Sequence, residues 1–198
     1  MDETGMEAAV EPIALFRLWL KGAEGGELND ANAVALATAT REGVPSVRMV
    51  LLKRVDAEGF CFYTNAESQK GSELGENPWA SMCFHWKSLR RQVRVSGTVA
   101  ELPGADADEY FHSRSRLSQL AAAASQQSRV VASREVLLER VKELEREFPD
   151  EIPRPEYWRG YVLRPEKIEF WKDGEGRLHD RFLFTRDGDG WRKERLFP

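Results

Sequence analysis

Residues 46–64, SVRMVLLKRVDAEGFCFYT, indicate the fold class of this chain. Residues 46–55 and 60–64 are apolar runs with β-branched and aromatic side chains, and residues 56–59, Asp-Ala-Glu-Gly, are typical of a turn. A connection this short joins antiparallel neighbours, because parallel strands need a crossover of a dozen or more residues. The stretch therefore predicts a pair of antiparallel strands.

The same alternation of apolar runs and turns recurs on both sides of this pair. Further strands are predicted at residues 33–38, 80–86, 92–102, 160–163, 168–171, 181–185 and 191–196. Apolar residues at helical spacing predict helices after Pro12, over residues 107–124 and over residues 134–148. We expect a mainly β fold with α (α+β), in which peripheral helices surround a small antiparallel β-barrel.

The composition suits one compact unit. The chain has 198 residues, of which 41% are hydrophobic and 31% charged, and its formal net charge is −4. An acidic chain gives no indication of nucleic acid or of an anionic membrane as a partner. We expect residues 12–198 to form a single domain and residues 1–11 to form a mobile N-terminal tail.

The cysteines and the N-terminus indicate the compartment. Cys61 and Cys83 are the only two cysteines, each inside an apolar run, which argues against a disulfide framework. No spacing of ligand residues suggests a metal site. The N-terminal residues lack the pattern of a signal peptide, and no apolar run approaches ~18 residues, the length of a membrane span. We therefore expect a cytoplasmic protein.

Tyr110, Arg114 and Ser118 stand four residues apart twice over. If one helix runs through residues 107–124, the three side chains lie on one face of it. A guanidinium, a phenol and a hydroxyl together offer the charge and the donors that a phosphate dianion needs. A solvated helix face has the same pattern, because charged side chains usually lie outside. The trio alone leaves both interpretations open.

A second pattern is Arg177-Leu178-His179-Asp180-Arg181, after a turn at residues 173–176. If the segment is extended, Arg177, His179 and Arg181 share one face of a strand. Cationic groups so placed repel one another unless an anion lies between them. An exposed strand edge is the alternative interpretation.

Two more cationic positions flank the hairpin of residues 46–64. The odd separation of Arg48 and Lys53 sends them to opposite faces of a regular strand, so they should serve two different anions. An ordinary core strand with charged ends would look the same. Lys70 follows Ser68 at the predicted start of a short helix, where a phosphate can bind. Separate cationic clusters in an acidic chain favour small anionic ligands over a polyanion.

Eight separated motifs are similar, in order and spacing, to those of a known family. They are Arg48-Met49-Val50-Leu51-Leu52-Lys53, Phe62-Tyr63-Thr64-Asn65, Arg91-Gln92-Val93, Tyr110-Phe111-His112-Ser113-Arg114, Ser118-Gln119, Gln127-Ser128, Glu169-Phe170-Trp171 and Arg177-Leu178-His179-Asp180-Arg181. Over residues 12–198 the chain resembles the pyridoxamine 5′-phosphate oxidase family. The resemblance implies a split barrel that forms a homodimer with FMN at the subunit interface.

The resemblance also implies which residues bind each group. It places FMN contacts on Arg48, Met49, Val50, Leu51, Lys53, Tyr63, Thr64, Gln69, Lys70, Gln92, Gln127, Ser128, Trp171 and Arg181. It assigns the phosphate of the substrate to Lys53, Tyr110, Arg114 and Ser118. It assigns the pyridine ring to Arg177 and His179, which are also the catalytic residues that it implies.

The chain departs from the family pattern in three places. Gln69 stands where the family usually has an arginine before the lysine of the flavin phosphate site, so one charge is lost. The arginine and tyrosine of the family's N-terminal covering segment have no counterpart in residues 1–12. Ser115 and residues 120–124 replace the usual proline and a Gly-Ala-Trp-like run, which can reshape the pocket wall.

The implied activity is oxidation of pyridoxamine 5′-phosphate or pyridoxine 5′-phosphate to pyridoxal 5′-phosphate, with oxygen as acceptor and hydrogen peroxide as second product. Two alternatives stay open. The related FMN oxidase of phenazine biosynthesis is one, although the set of Tyr110, Arg114 and Ser118 favours a phosphorylated substrate. The other is a non-catalytic module that binds FMN or pyridoxal phosphate, because binding and turnover use the same residues.

Overall fold

The strands of the computed structural model, which describes residues 5–198, pair in one antiparallel sheet. The elements in chain order are α1 Pro12–Gly26, β1 Ala33–Ala39, β2 Pro45–Leu51, β3 Arg54–Val55, β4 Phe60–Asn65, α2 Gln69–Glu76, β5 Trp79–Trp86, β6 Arg91–Glu101, α3 Gly104–Ser113, α4 Arg116–Ala124, α5 Arg134–Glu147, β7 Trp158–Lys172, β8 Asp180–Asp187 and β9 Gly190–Arg195. The predicted mainly β class with peripheral helices is confirmed.

β7 is the strand at which the sheet divides. The strand order is β2-β1-β5-β6-β7-β4-β3, and β8 also pairs with β7 and continues to β9. One edge of β7 is covered by β6, whereas the other edge pairs with β4 along its first part and with β8 along its last part. β4 and β8 pair with successive parts of the same edge of β7, so the sheet divides between them. A barrel that is open in this way is the split barrel that the resemblance implies.

A β-bulge bends this central pair of strands. The register between β6 and β7 shifts between Ser96 and Gly97. A Cβ atom on Gly97 would lie 1.9 Å from the carbonyl oxygen of Arg164, so the close approach of the two backbones requires glycine there. The bend curves the long strands around the core.

α1 fills the concave side of the sheet. Pro12 occupies the first helical turn, and the carboxylate of Glu11 accepts a hydrogen bond of 2.7 Å from the Ala14 N–H, so the start of the helix is capped. Phe16 and Trp19 are fully buried. The core of the barrel is thus a helix face packed on strands, as the spacing of its apolar residues predicts.

Aromatic rings join α1 to the strands. The Phe16 ring lies edge-on to Phe60 at 4.8 Å and to Phe84 at 4.9 Å between ring centroids. The Trp19 ring meets Phe170 of β7 in the same way at 5.2 Å. Edge-to-face packing of this kind joins strands from both halves of the sheet to one helix.

A second, smaller core lies outside the barrel, where α3, α4 and α5 pack against the start of β7. Phe111, Leu120 and Leu144 are buried there around Trp158. No helix among residues 5–198 has both the length and the apolarity that crossing a membrane would require.

The prediction of one helix over residues 107–124 is wrong. The chain leaves α3 at Arg114, whose backbone is extended with φ −78° and ψ 156°. Ser115 then caps α4, its hydroxyl accepting a hydrogen bond from the Ser118 N–H at 3.3 Å. Serine competes for backbone donors in this way and favours a helix start over a helix interior.

Two predicted strand boundaries also differ. Residues 46–55 form two strands, β2 and β3, because the Leu52 N–H donates to Asn32 and the Lys53 N–H to Cys61 at the point where the chain changes partner. Residues 160–163 and 168–171 belong to the single strand β7, which passes Pro165 at the bulge. Both differences arise from pairing with distant strands, which local sequence does not specify.

Residues 5–11, the described part of the predicted N-terminal tail, pack against β9. The Lys193 Nζ donates to the carbonyl oxygens of Met6 at 2.5 Å and Glu7 at 2.6 Å, and the Met6 side chain is buried. The mobility of residues 1–11 stays a prediction, and residues 1–4 lie outside the described part of the chain.

Phe16→Ala is expected to lower the free energy of unfolding by about 3–5 kcal/mol, because it removes a ring at the centre of the core and leaves a cavity. Leu18→Ala is the matched control on the same helix, where the side chain is 60% exposed and the expected change is below about 0.5 kcal/mol. Chemical denaturation of both variants measures the difference. Equal effects would contradict the packing of α1 described above.

Candidate active site

Lys70, at the start of α2, holds a buried ammonium group. Its side chain is 8% exposed, and Nζ donates to Gln127 Oε1 at 2.6 Å, Thr64 Oγ1 at 3.1 Å and Ser68 Oγ at 3.3 Å. Burial, and after it the charge of nearby Arg48, lower the pKa of Lys70 to about 8 against a weaker opposing effect of Glu73. A buried cation whose hydrogen-bond partners are neutral oxygens suits an anionic ligand.

The connection between α4 and α5 covers this end of α2. It supplies Gln127 to Lys70, and the Ser128 hydroxyl accepts a hydrogen bond from the Gln69 N–H at 3.2 Å. Ser128 has φ 72°, a left-handed conformation that is uncommon for residues other than glycine. The first group of site residues is therefore formed by Thr64 together with Gln69, Lys70, Gln127 and Ser128, all of which the resemblance assigns to FMN.

Glu73, one helical turn after Gln69, is a buried carboxylate with several donors. It accepts hydrogen bonds from Ser46 at 2.5 Å, Gln69 at 2.9 Å and Arg48 at 3.3 Å, and a short one from Thr38. Burial by itself would raise its pKa, but the hydrogen bonds from Ser46, Thr38, Gln69 and Arg48 outweigh burial and lower the pKa of Glu73 to about 2.

The other residues of β2 that the resemblance assigns to FMN divide between the two faces of the strand. Arg48 and Val50 lie on the half-buried face, and Val50 packs against the core. Met49 and Leu51 lie on the opposite face, 63% and 38% exposed. β2 is an edge strand, so this apolar face is available to another surface.

A stack of aromatic rings forms a second group beside the first. Tyr110 stacks on Tyr63 with ring centroids 4.2 Å apart, and Trp158 continues the stack at 5.3 Å from Tyr63. Lys53 Nζ lies 5.6 Å from the centre of the Tyr110 ring, and the Arg114 guanidinium lies 5.2 Å from that of Trp158. Tyr63 and Thr64 are neighbours on β4, so the same strand carries both groups, on its two opposite faces.

Arg114 in this second group is incompletely satisfied. Among residues 5–198 its Nη1 atom is buried without a hydrogen-bond partner, and burial lowers the pKa of its guanidinium. Ser118 points its hydroxyl to Ser115 at 2.8 Å. The structure thus brings Lys53, Tyr110 and Arg114 together although the helix that was expected to align them is broken.

A third group lies at the other end of β7. Trp171 is the cross-strand partner of Gln92 on β6 and of Arg181 on β8, and its ring lies 4.6 Å from that of His179. The Nδ1 atom of His179 is 3.2 Å from the Asp173 carboxylate and 3.2 Å from the Gly174 nitrogen.

Arg181 is held by two acceptors. Its Nε donates to Glu169 Oε1 at 2.9 Å, and its Nη1 donates to the Phe197 carbonyl at 2.7 Å. Arg94 binds the other oxygen of the same buried carboxylate. The guanidinium is therefore fixed between β7 and the C-terminal residues.

Arg177 does not lie on a strand, so the condition under which Arg177, His179 and Arg181 would share one strand face is not met. Residues Glu175–Arg177 form a single 3-10 turn, Arg177 is exposed with φ 64°, and β8 begins only at Asp180. A Cβ atom on Gly174 would lie 2.0 Å from the Leu178 carbonyl oxygen, which shows how tightly the loop closes. The loop extends beyond the turn residues that the sequence marks.

The three groups do not all meet within one chain. The first two lie beside the start of β7, where Thr64 pairs with Arg159, whereas Trp171 and Arg181 lie at its end. Residues 159 and 171 are separated by roughly 40 Å of strand contour at ~3.3 Å per residue. A ligand that contacted both ends of β7 would either have to span that strand or be bound by two chains.

Sequence reasoning missed the roles of three residues that organise these groups, although one of them, Glu169, stands in a motif quoted above. Trp158 carries the aromatic stack, Glu73 gathers Arg48 and Gln69, and Glu169 holds Arg181. Glu73 stands four residues after Gln69, and that helical spacing is the one signal by which it could have been found. Trp158 and Glu169 bind partners on distant elements.

We expect the affinity of Lys70 for a phosphate monoester, such as the FMN that the resemblance implies, to fall as the pH rises through about 8, because the neutral amine no longer attracts the anion. The expected limit is roughly tenfold per pH unit. Fluorescence titration of the apoprotein with FMN from about pH 7 to about pH 9 measures this.

Lys70→Met should bind FMN more weakly and with little dependence on pH over that range. Lys87→Met, at an exposed position, is the control and should behave as the wild type. A wild-type affinity that does not change across this range would contradict a role of Lys70 in phosphate binding.

Comparison with known proteins covers nearly the whole chain. Residues 24–146 match the family described as "Pyridoxamine 5'-phosphate oxidase", and residues 158–198 match "Pyridoxine 5'-phosphate oxidase C-terminal dimerisation region". Pyridoxine/pyridoxamine 5'-phosphate oxidase of Gluconobacter oxydans is 53% identical over 194 residues, 98% of this chain and 97% of that protein. The protein of the same name from Sinorhizobium fredii is 56% identical over 193 residues, 96% and 94% of the two chains.

Two solved structures share the fold. PhzG from Burkholderia lata, in complex with tetrahydrophenazine-1-carboxylic acid, superposes with a TM-score of 0.93 at 34% identity and covers 100% of this chain and 98% of its own. An FMN-binding protein from Nostoc punctiforme superposes with a TM-score of 0.77 at 18% identity, covering 96% and 100%. The second likeness shows the split-barrel fold alone.

The C-terminal match indicates a homodimer, since it falls on a dimerisation region that includes β7, β8 and β9. The first family match covers more than half of the chain, and the two relatives are more than one-half identical to it over almost its full length. These matches show the family. The chain belongs to the pyridoxamine 5′-phosphate oxidase family and is an oxidoreductase with FMN as its cofactor.

Proposed function

We propose that this protein oxidises pyridoxamine 5′-phosphate and pyridoxine 5′-phosphate to pyridoxal 5′-phosphate, with oxygen as the acceptor and hydrogen peroxide as the second product. The activity serves the salvage and biosynthesis of vitamin B6. The observation that carries the proposal is the convergence of Lys53, Tyr110 and Arg114 on one aromatic stack. The names of the relatives that are about one-half identical support it.

The second group suits the phosphate of the substrate. Two cations flank the stacked rings, and Arg114 has a buried nitrogen that lacks a partner within residues 5–198. A guanidinium binds phosphate oxygens in pairs, and a donor left unpaired in a buried place costs free energy until a ligand satisfies it. Ser118 could reach the same anion if its hydroxyl rotates away from Ser115.

The first group suits the phosphate of FMN. Lys70 supplies a charge that neutral oxygens alone surround, and the start of α2 adds the positive end of the helix dipole. Thr64, Gln127 and Ser128 would hold the same phosphate with hydroxyl and amide groups. FMN, when bound, accepts the hydride from the substrate carbon that bears the amine or alcohol and passes the electrons to oxygen.

The residues of the chain then bind and orient the two rings. The His179 Nδ1 atom can accept from the Gly174 N–H or, when protonated, donate to Asp173, and either contact leaves Nε2 as the atom that would meet the substrate. Arg177 is exposed at the tip of the loop and would close on the pyridine ring from there. With an amine substrate the oxidised product is an imine, which water hydrolyses to the aldehyde and ammonia.

We further propose that each FMN lies at the interface of the homodimer and is bound by both chains. Trp171, Arg181 and Gln92 lie at the opposite end of β7 from Lys70, so a second chain is needed to complete one site. Val47, Met49 and Leu51, the exposed apolar side chains of the edge strand β2, supply a surface for that second chain.

Subunit complementation tests the shared site. Lys70→Met and Arg181→Met, produced separately, should each bind FMN weakly, because every site in either homodimer lacks one group. Mixed dimers of the two chains should regain one normal site in two. That site combines Lys70 from the Arg181→Met chain with Arg181 from the Lys70→Met chain. Activity and bound flavin per dimer measure the recovery, and a mixture no more active than its components would mean that each chain binds FMN by itself.

The related FMN oxidase of phenazine biosynthesis is a second candidate, because the PhzG structure superposes over the full chain. Its ligand, tetrahydrophenazine-1-carboxylic acid, has a carboxylate and no phosphate. A carboxylate would use Arg114 but would leave Lys53 without a partner of its own. A module that binds FMN without turnover is the remaining alternative.

Arg114→Ala is expected to lower kcat/KM for pyridoxine 5′-phosphate by roughly ten- to a hundredfold, mostly through KM, because the phosphate loses a charged partner. FMN binding should be unchanged, since Lys70 and Arg48 are untouched. Arg140→Ala, at an exposed position on α5, is the control.

Steady-state kinetics with flavin absorbance recorded in parallel measures both effects. Pyridoxine without phosphate should be a poor substrate and indifferent to the change. An unchanged KM for the phosphorylated substrate, or loss of flavin from the variant, would show that Arg114 has another role. Turnover of a phenazine carboxylic acid without oxidation of pyridoxine 5′-phosphate would favour the second candidate.

A further inference from the structure

Glu73 lies where three elements meet beside the group of Lys70. Its carboxylate accepts hydrogen bonds from Thr38 of β1, from Ser46 and Arg48 of β2, and from Gln69 of α2. The side chain is buried, and the bonds join the start of α2 to the edge strand of the sheet. Two of these donors, Arg48 and Gln69, are among the residues that the resemblance assigns to FMN.

The position requires a carboxylate. An ionised carboxylate has two acceptor oxygens and no donor, so it can satisfy four converging donors. A glutamine in its place would have one oxygen, and its NH2 group would face either the Gln69 amide, which binds Oε1, or the donors of Thr38, Ser46 and Arg48, which bind Oε2. The low pKa of Glu73, about 2, shows that the charged form is the one that these neighbours stabilise.

Glu73 also determines what Arg48 can do. Arg48 Nη1 donates to the Leu36 carbonyl at 3.2 Å and to Thr38 at 2.5 Å, and Nη2 donates to Ser46 at 2.5 Å and to Glu73 at 3.3 Å. A guanidinium has five N–H groups. Within residues 5–198, those four bonds occupy the N–H groups of Nη1 and Nη2 and leave the N–H of Nε for a ligand. Because the four bonds hold the guanidinium in place, they also fix the direction in which this N–H points.

We propose that Glu73 is a positioning residue for FMN binding, which acts by holding Arg48 and the Gln69 amide and by cancelling the charge of Arg48. Within residues 5–198, Lys70 is then the cation of this cluster that forms no ion pair, so the phosphate binds at α2 and not at β2. The inference rests on the proposed assignment of Lys70 to the phosphate of FMN.

Glu73→Gln is expected to weaken FMN binding about tenfold or more, because Arg48 loses its ion pair and its fixed direction. Glu73→Asp keeps the charge and should retain more of the affinity. Glu76→Gln, an exposed position on the same helix, is the matched control and should bind as the wild type. Equal affinity of Glu73→Gln and the wild type would overturn the proposal.

A second measurement separates positioning from general damage. At saturating FMN the Glu73→Gln enzyme should show nearly wild-type kcat and substrate KM, because the substrate group around Tyr110 is untouched. A kcat that stays low at saturating FMN would indicate a structural role and count against the proposal. In a double-mutant cycle, Arg48→Met combined with Glu73→Gln should lose less FMN affinity than the sum of the two single losses, because Glu73 acts in part through Arg48. Additive losses would show that Glu73 does not act through Arg48.

Ser46→Ala covers the case in which Glu73→Gln does not fold. It removes a hydroxyl that accepts from Arg48 and donates to Glu73, at a half-buried position on an edge strand. It should weaken FMN binding several-fold with little change in thermal stability, and wild-type affinity would contradict the proposal. Lys70→Met distinguishes failure of the phosphate assignment from failure of the positioning role. Normal FMN binding in Lys70→Met would overturn the assignment of Lys70 to the phosphate. Weak binding in Lys70→Met together with normal binding in Glu73→Gln would overturn the positioning role of Glu73 alone.

Discussion

The pairing of β7 along both of its edges is the constraint on which the rest of this structure depends. One edge is continuous with β6, and the other is divided between β4 and β8. The barrel closes around α1 because β6, which pairs with β7, carries a bulge at Gly97, where a side chain would collide with the Arg164 carbonyl of β7. Each end of β7 carries part of the proposed site, so strand pairing determines which of its residues one chain brings together.

Buried charges in the site fall into two kinds, and the difference indicates function. Glu73 and Glu169 each bind two or more donors, including arginine, so their charges are compensated within the fold. Lys70 binds neutral oxygens, and Arg114 has a buried nitrogen without a partner in the described chain. Compensated charges hold other groups in place, whereas uncompensated cations cost stability that an anionic ligand can return.

Much of the fold could be predicted because the signals that specify it are local. Alternating apolar runs separated by Gly and Asp turns predict strands, and α1 is evident from its apolar face and from Pro12. The break after α3 could not be predicted from spacing, since Arg114 and Ser115 fit a helix until the Ser115 hydroxyl caps α4. The same holds for Arg177, whose loop is closed by the contact of Gly174 with Leu178.

The sequence by itself determined the fold class, the family and the types of residue that the site needs, because these are carried by short motifs. Only the tertiary structure decided how those motifs are grouped. Lys70 meets Gln127 across 57 residues, and Arg54 meets Asp106 across 52, through contacts that no local period encodes. It also revealed Trp158, Glu73 and Glu169, whose importance depends on which arginines and rings the folded chain places beside them. Local sequence specifies conformation, whereas burial and charge compensation depend on neighbours that only folding brings together.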